Sequence, residues 1–444
     1  MKKFLLCLMV VLMAVTAFAQ AGYQLPDPHF EDWSGDVFDG APQMKYWHAS
    51  NVSQSALGMS FDFNFAHRET GRTGYCMMVQ DQSVGAAGIT ETSPGYFSLG
   101  TAWQYLEGLN TSSATAGSYG GISFAHRPDS VVVWIKRTGN NTADEDFQIL
   151  FYAWSGTAKG KKFLSKGGNC TETPNYIEDE ESDVRQALNG NECGTAQKAN
   201  QIAEGWLFDR KQYNQWTRIS VPIYYLNDNV PTKCNMMFSA SNYPNFRANS
   251  GLYAGNSLYV DDVELIYSSK IQELWIGGKK WNGFDPNSTD VQIYSLGQTA
   301  TAIPTIEAIR GAGTLTTKAT AYNRVSKFTK TAIFPGRKLS GSEITITQGN
   351  LEGTPTLITV RSEDGTSTTT YKIQFQRAAS ANAKLAGLGY VLNGDTTMLS
   401  NFSLASTSYN IELPYGSAAM EPMHLARYGN SARRANLSTM PSNR

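Results

Sequence analysis

Charge is scarce in this chain. Asp, Glu, Lys and Arg make up 17% of the 444 residues and leave a formal net charge of −1. There is no basic domain or stripe of the kind a phosphate backbone requires, so no nucleic acid partner is expected. Long apolar runs are missing too: beyond the first twenty residues none approaches eighteen, which excludes a helical membrane span. Cysteine is sparse, five in all, and no Cys-x-x-Cys occurs, which argues against a zinc knuckle or a redox dithiol. No His-x-x-x-His pair, Gly-x-Ser-x-Gly elbow, Walker loop or dinucleotide fingerprint is found, so an enzyme has no positive signal.

The N-terminus shows where the chain is sent. Lys2 and Lys3 precede an apolar run over residues 4–15, and Ala17 and Ala19 place small residues just before Gln20. That pattern predicts a secretory signal peptide over residues 1–19, with Cys7 too early to be a lipid-modified cysteine at the cleavage site. A secreted product, periplasmic or extracellular, is expected, and export permits disulfides. Cys170 and Cys193 bracket one polar loop, and pairing them would close it with a gain of roughly 3 kcal/mol. Cys76 and Cys234 are then a second bridge or a pair of buried thiols.

The 40 glycines and 22 tyrosines suit an all-β protein with many turns. Phe61, Phe63 and Phe65 alternate with Asp62 and Asn64, the period-two signature of a half-buried strand. Residues 75–79, 131–136, 147–154, 217–225 and 235–240 read the same way. Only residues 179–205 have helical character. The run NSLYVDDVELIY, residues 256–267, reads as the strand that closes this first domain, with Asp261 and Asp262 interrupting an otherwise apolar segment. Such strands with scarcely a helix mean a sandwich or a jelly roll, here over residues 24–268.

A second unit, 269–378, opens on a strand near Ile271 and ends on a predicted hairpin turning at Asp364-Gly365, which suggests a small Ig-like sandwich. Residues 384–414 can be laid over 271–304, Asn393-Gly394 on Asn282-Gly283, so 380–444 is read as a partial repeat. Half a sandwich cannot bury its strands, so an irregular tail or strands docked on a neighbour are expected there.

Several spaced blocks carry a family resemblance: Phe30-Glu31-Asp32-Trp33, Gly121-Ile122-Ser123-Phe124 with Arg127-Pro128-Asp129-Ser130, Val221-Pro222-Ile223-Tyr224-Tyr225, Ser239 and Ser241, and Asn256-Ser257-Leu258 leading to Asp261-Asp262. Over residues 24–268 the chain resembles the putative carbohydrate metabolism domain of exported Bacteroidetes proteins. The resemblance implies a jelly-roll β-sandwich similar to carbohydrate-binding modules and galactose-binding-like domains, and a role in glycan handling. The later units resemble Ig-like or cadherin-like modules.

In many carbohydrate-binding jelly rolls the closing strand and an N-terminal acid hold a structural calcium. The matching positions here are Asp261 or Asp262 with Glu31 or Asp32, unless Asp262 caps a turn or pairs with an arginine such as Arg127. Sugar binding needs flat aromatic faces and planar polar groups. Trp103 and Tyr105, in a Gly-, Ser- and Thr-rich stretch, are the first candidates, followed by Trp47, Tyr119, Trp154 and Trp206, with Arg127 as a polar partner; a tryptophan in a sandwich is nevertheless core more often than platform. The leading expectation is a binder of polysaccharide or oligosaccharide with Ig-like spacers. The alternatives are a glycoside hydrolase of unassigned mechanism and a surface adhesin.

Overall fold

A computed structural model describes residues 22–38, 41–56, 59–86, 89–105, 115–119, 121–155, 165–166, 169–170, 185–187, 200–241, 252–320, 327–378, 385–403, 405–406, 408–415, 417, 421–428 and 431–436. The signal segment and the proposed Cys170–Cys193 bridge lie outside the described residues and side chains. Among the described residues the chain is all-β, with no α-helix and one 3-10 turn at Gly341–Glu343. The described parts of the segment expected to be helical, 185–187 and 200–205, are strand. Two compact units emerge: residues 1–287 with 306–344 and 360–369, and residues 288–305 with 345–359 and 370–444.

The first unit holds a β-sandwich. One sheet has five antiparallel strands, β1 (Ala66–Thr70), β2 (Tyr75–Gln80), β3 (Ser130–Thr138), β4 (Tyr213–Pro222) and β5 (Ser257–Ile266), in the order β4-β3-β5-β2-β1. The other runs Tyr224–Tyr225, Asn200–Asp209, Phe147–Ser155, Lys233–Ser239, Tyr96–Ser98, His48–Ala49, with Ile122–Ser123 also on the Lys233–Ser239 strand. Alternate residues from both sheets meet in one core: Val131, Val133 and Ile135 of β3, Leu258 and Val260 of β5, and Ile149, Phe151, Met236 and Phe238 opposite them. Period-two alternation puts these on one face and their neighbours on the other. Cys76 and Cys234 are buried and free, which selects the thiol pair over the second bridge.

In β5 the alternation slips. Leu258 and Val260 are buried, and so are Val263 and Leu265, one residue out of phase. The register explains it: Val132 of β3 stands opposite Glu264 and Trp134 opposite Asp261, so a step of two on β3 matches a step of three on β5. One extra residue in one strand is a β-bulge. Asp262 takes up the distortion with φ of 48°, a left-handed conformation that Asp tolerates better than most side chains.

A buried ion cluster fixes residues 306–344 and 360–369 in the same unit. Glu343 receives two hydrogen bonds from Arg337, at 2.9 and 2.8 Å, and one from Arg127 at 3.0 Å. The Arg127 backbone donates to Glu363 at 3.0 Å, and Arg310 Nε lies 3.4 Å from Asp129. Burial pushes Asp129 up to about 6. Burial also disfavours the charged form of Glu343, but the hydrogen bonds from Arg337 and the nearby guanidiniums hold it below the ordinary glutamate range. A four-stranded sheet in this unit runs Lys279–Lys280, Glu273–Ile276, Ile306–Arg310, Arg337–Lys338. Its first hairpin turns on Gly277 and Gly278, both at positive φ, and Asn282-Gly283 forms the expected turn a few residues on, with Phe284 N donating to Trp281 O at 3.3 Å.

In the second unit Val291–Leu296 pairs in parallel with residues 372–377. Asn393 and Gly394, at φ of 50° and 91°, join Leu385–Leu392 to Asp395–Met398 in a two-residue hairpin. Of the two expectations for the tail, docked strands fit the described residues: Glu421–Tyr428 and Ser431–Asn436 add two antiparallel strands to that hairpin.

At one end of the sandwich core two acids face each other. Asp81 and Glu145 are both fully buried; Asp81 Oδ1 accepts from Gly95 N and Ser241 Oγ at 2.9 and 3.0 Å, and Glu145 Oε2 accepts from Asn256 at 2.6 Å. Asp81 Oδ2 and Glu145 Oε1 have no donor. Desolvation raises both carboxyls above their ordinary range, and the charge of Asp81 raises Glu145 further.

Two expectations follow for stability. An Asp262→Val substitution, forcing a β-branched residue into the left-handed position, should cost about 1–2 kcal/mol more than Asp262→Gly, which loses the same side-chain contacts without the steric penalty; equal urea midpoints for the two variants would remove the bulge argument. The folded acid pair holds a proton that the unfolded chain releases above about pH 4. The native state therefore binds more protons, and this contribution is full below the unfolded value and lost as pH rises through the raised folded values. Tm should fall between about pH 5 and pH 9, and Glu145→Gln, which supplies an N–H to Asp81, should flatten that fall.

Candidate functional site

The outward positions of the five-stranded sheet form rows across it. In one row Lys136 of β3 stands opposite Tyr259 of β5, Tyr259 opposite Met78 of β2, and Met78 opposite His67 of β1. Trp216 of β4 extends it: Lys136 Nζ lies 4.0 Å from the Tyr259 ring centre and 5.6 Å from that of Trp216. In the adjoining row Trp134 stands opposite Arg218 on one side and Asp261 on the other. Trp134, Lys136, Trp216 and Tyr259 are half-buried, with apolar core residues directly behind them on the same strands.

The first row ends at a cleft of about 420 Å³, lined by Ala41, Pro42, Asp62, Asn64, His67, Arg68 and Gln82. Two of its groups, Asn64 Oδ1 and His67 Nδ1, are buried and have no hydrogen-bond partner in the protein. His67 Nε2 faces Glu69 at 3.3 Å. Arg68 is held by rings, 4.3 Å from the centre of Tyr75 and 5.4 Å from that of Trp33, and Tyr75 is 42% exposed. A carboxylate, two amides, an imidazole and a guanidinium around one cleft can bond a ligand dense in hydroxyls.

The acids suggested for calcium do gather, but around donors. Asp261, fully buried, accepts from Arg72 N at 2.7 Å and Asp262 N at 2.8 Å; burial raises it to about 6. Asp262 receives Arg72 Nε at 2.7 Å, a second Arg72 nitrogen, and His29 at 2.6 Å. Burial works to raise Asp262, yet the hydrogen bonds from His29 and Arg72 bring it below the usual aspartate range. Glu31 accepts from Tyr75 N at 2.8 Å, and Asp32 donates its backbone N–H to Asp27 at 3.2 Å. The carboxylates of Asp261, Asp262 and Glu31 thus already accept from N–H groups and a guanidinium, which compete for the lone pairs that a calcium ion would take. No group of three His, Cys, Asp or Glu able to hold a metal occurs among the described residues. The pairing arginine is Arg72, not Arg127.

The aromatics picked from sequence divide. Trp47 and Trp154 are 2% and 0% exposed and offer no ring face to a sugar; Trp47 packs on Phe30, Phe97 and Phe238 and donates Nε1 to Pro26 O at 3.1 Å. Trp206 packs with Phe208 over Tyr96, Leu150 and Met237. Arg127 belongs to the ion cluster. The side chains of Trp103, Tyr105 and Tyr119 lie outside what the structure describes; their backbones pair in one hairpin, Thr101–Tyr105 with Thr115–Tyr119. The residues that sequence reading missed, Trp134, Tyr259 and Trp216, carry a legible signal: each is an aromatic on the polar phase of an alternating strand.

No protein-family model matches the chain, and no curated protein matches it. Among solved structures it is similar to a protein of Bacteroides thetaiotaomicron described as a putative glycoside hydrolase, at 16% identity and a TM-score of 0.33, covering 54% of this chain and 70% of that one. A second, from Bacteroides vulgatus and described in the same words, shows 15% identity and a TM-score of 0.32 over 54% of this chain and 96% of that one. A cleaved adhesin domain of Lys-gingipain from Porphyromonas gingivalis shows 11% identity and a TM-score of 0.18 over 55% and 93%. At these scores the likeness carries no argument about activity. No helix long and apolar enough to cross a membrane occurs among the described residues.

The acid geometry sets an expectation for metal removal: excess chelator should leave Tm unchanged. A fall of several degrees, restored by added calcium, would show a bound ion that these donors do not account for.

Proposed function

We propose that the first unit binds a polysaccharide or oligosaccharide along the outward face of its five-stranded sheet, as part of a secreted glycan-handling protein. The observation that carries this reading is the row Trp216, Lys136, Tyr259, Met78, His67, which leads into a cleft where Asn64 Oδ1 and His67 Nδ1 are left without partners. A pyranose has an apolar C–H face and a polar rim. Rings on a rigid sheet suit the first, and the planar groups of Asp62, Asn64, Arg68 and Gln82 suit the second. The resemblance to exported carbohydrate-metabolism domains and the signal-peptide pattern are consistent with this role. No pair of carboxyls in the cleft favours hydrolysis, and binding is the reading taken.

A glycan array with the full chain tests the proposal. Binding should weaken about tenfold or more in Trp216→Ala and in Tyr259→Ala, the loss of one stacking contact being worth about 1.4 kcal/mol. No binding to any glycan, or binding untouched by either substitution, would overturn it.

A further inference from the structure

We infer that the glycan taken by this face is acidic, a polymer carrying uronate carboxylates, read by Lys136 and Arg68. The inference rests on the carbohydrate-binding reading above and adds the charge of the ligand to it. Its basis is how cations are held. Several arginines elsewhere in the chain meet carboxylates, Arg72 with Asp262, Arg127 and Arg337 with Glu343, Arg210 with Asp146, Arg377 with Glu352, while Lys45 and Lys211 each lie over a single ring. Lys136 and Arg68 have no ion-pair partner among the described residues. Each is held by two aromatic rings instead, Lys136 by Tyr259 and Trp216, Arg68 by Tyr75 and Trp33.

A ring fixes a cation through its quadrupole and carries no net charge, so it positions the group without neutralising it. The N–H donors of both side chains remain available. A lysine ammonium supplies a point charge, and an arginine fork matches the two oxygens of a planar carboxylate. Lys136 sits between the stacking rings on the outward phase of β3. Arg68, opposite Met77 on the other phase of the edge strand β1, lines the cleft into which the outward row leads through His67. A neutral glycan would use the rings and the cleft and leave both charges unmatched. A polyuronate stacks in the same way and also places carboxylates at the ring rim, where Lys136 stands. Asp62 and Glu69 temper the field of this face but do not engage either cation: Glu69 is taken up by His67, and Asp62 is exposed, where it can accept sugar hydroxyls.

The experiment measures binding of the full chain to polygalacturonate, to the same polymer after reduction of its carboxyls, and to a sulfated polysaccharide, at low and at high NaCl. The expected result is binding to polygalacturonate that weakens with salt, falls about tenfold or more on carboxyl reduction, and falls about tenfold in Lys136→Met and in Arg68→Met, which keep the apolar stems between the rings. Equal binding of the native and carboxyl-reduced polymers would overturn the inference while leaving carbohydrate binding standing. Preference for the sulfated polymer would overturn the carboxylate assignment. Absence of binding to any of the polymers and to every glycan on the array would remove both readings together. The carboxyl-reduced polymer needs no variant, so it decides the matter even if a substitution impairs folding.

Discussion

One extra residue in β5 sets the geometry of the first unit. Without the bulge at Asp261 and Asp262, Val263 and Leu265 would turn outward, and each buried aliphatic side chain is worth roughly 1.5–3 kcal/mol. The bulge keeps both halves of the strand on the core, at the cost of a left-handed aspartate and a buried one. Local hydrogen bonds offset that cost. Asp261 is capped by the backbone of Arg72 and of Asp262, and Val263 N donates to Pro28 O at 2.8 Å, so the chain's N-terminal turn closes over the distortion. Gly71 sits so near that a Cβ there would lie 2.5 Å from Tyr75 O and 2.7 Å from Asp261 Oδ2. The approach needs a residue without a side chain.

The consequences run outward to the site. Asp262 grips Arg72, and the Arg72 guanidinium lies 4.6 Å from the centre of the Trp134 ring. Trp134 neighbours Arg218 and Asp261 on the face that carries Lys136, Tyr259 and Trp216. A sheet is a better platform than a loop because each ring is held by the strand on both sides and by the core behind it. Here the alternation that builds the core also builds the platform. The core phase of β3 is Val131, Val133 and Ile135; the other phase is Trp134 and Lys136.

Much of this was legible in the sequence. The strands over residues 75–80, 130–138, 147–155 and 257–266 follow from period-two patterning, and the phase slip between Leu258-Val260 and Val263-Leu265 is itself the signature of a bulge. Read without that phase, the two acids suggest a metal. What patterning does not show is pairing at a distance. Arg72 and Asp262 are 190 residues apart, and no local signal favours Arg72 over Arg127. Trp47 and Trp154 were attractive for their ring type alone; Trp47 is packed on Phe30, Phe97 and Phe238 and Trp154 is fully buried. The turn at Asn282-Gly283 was legible and the hairpin at Gly277-Gly278 was not, because turn chemistry marks where a chain can reverse and strand pairing decides which reversal becomes a hairpin.

The two outward faces of the sandwich are not equivalent. On the sheet containing Phe147–Ser155, the outward residues Tyr96, Leu150 and Met237 are buried, with Ala102, Tyr152, Trp206 and Phe208 packed against them. The chain reaches that layer directly from the core: Leu99 N donates to Met236 O at 3.0 Å and Gly100 N to Asn235 Oδ1 at 2.9 Å, just before the Thr101–Tyr105 strand. On the five-stranded sheet the rings have cations as neighbours and stay half-exposed. Leaving them wet forgoes burial that the fold could have used elsewhere, and it is on these half-exposed rings, in register with a polar cleft, that the proposed glycan-binding face rests.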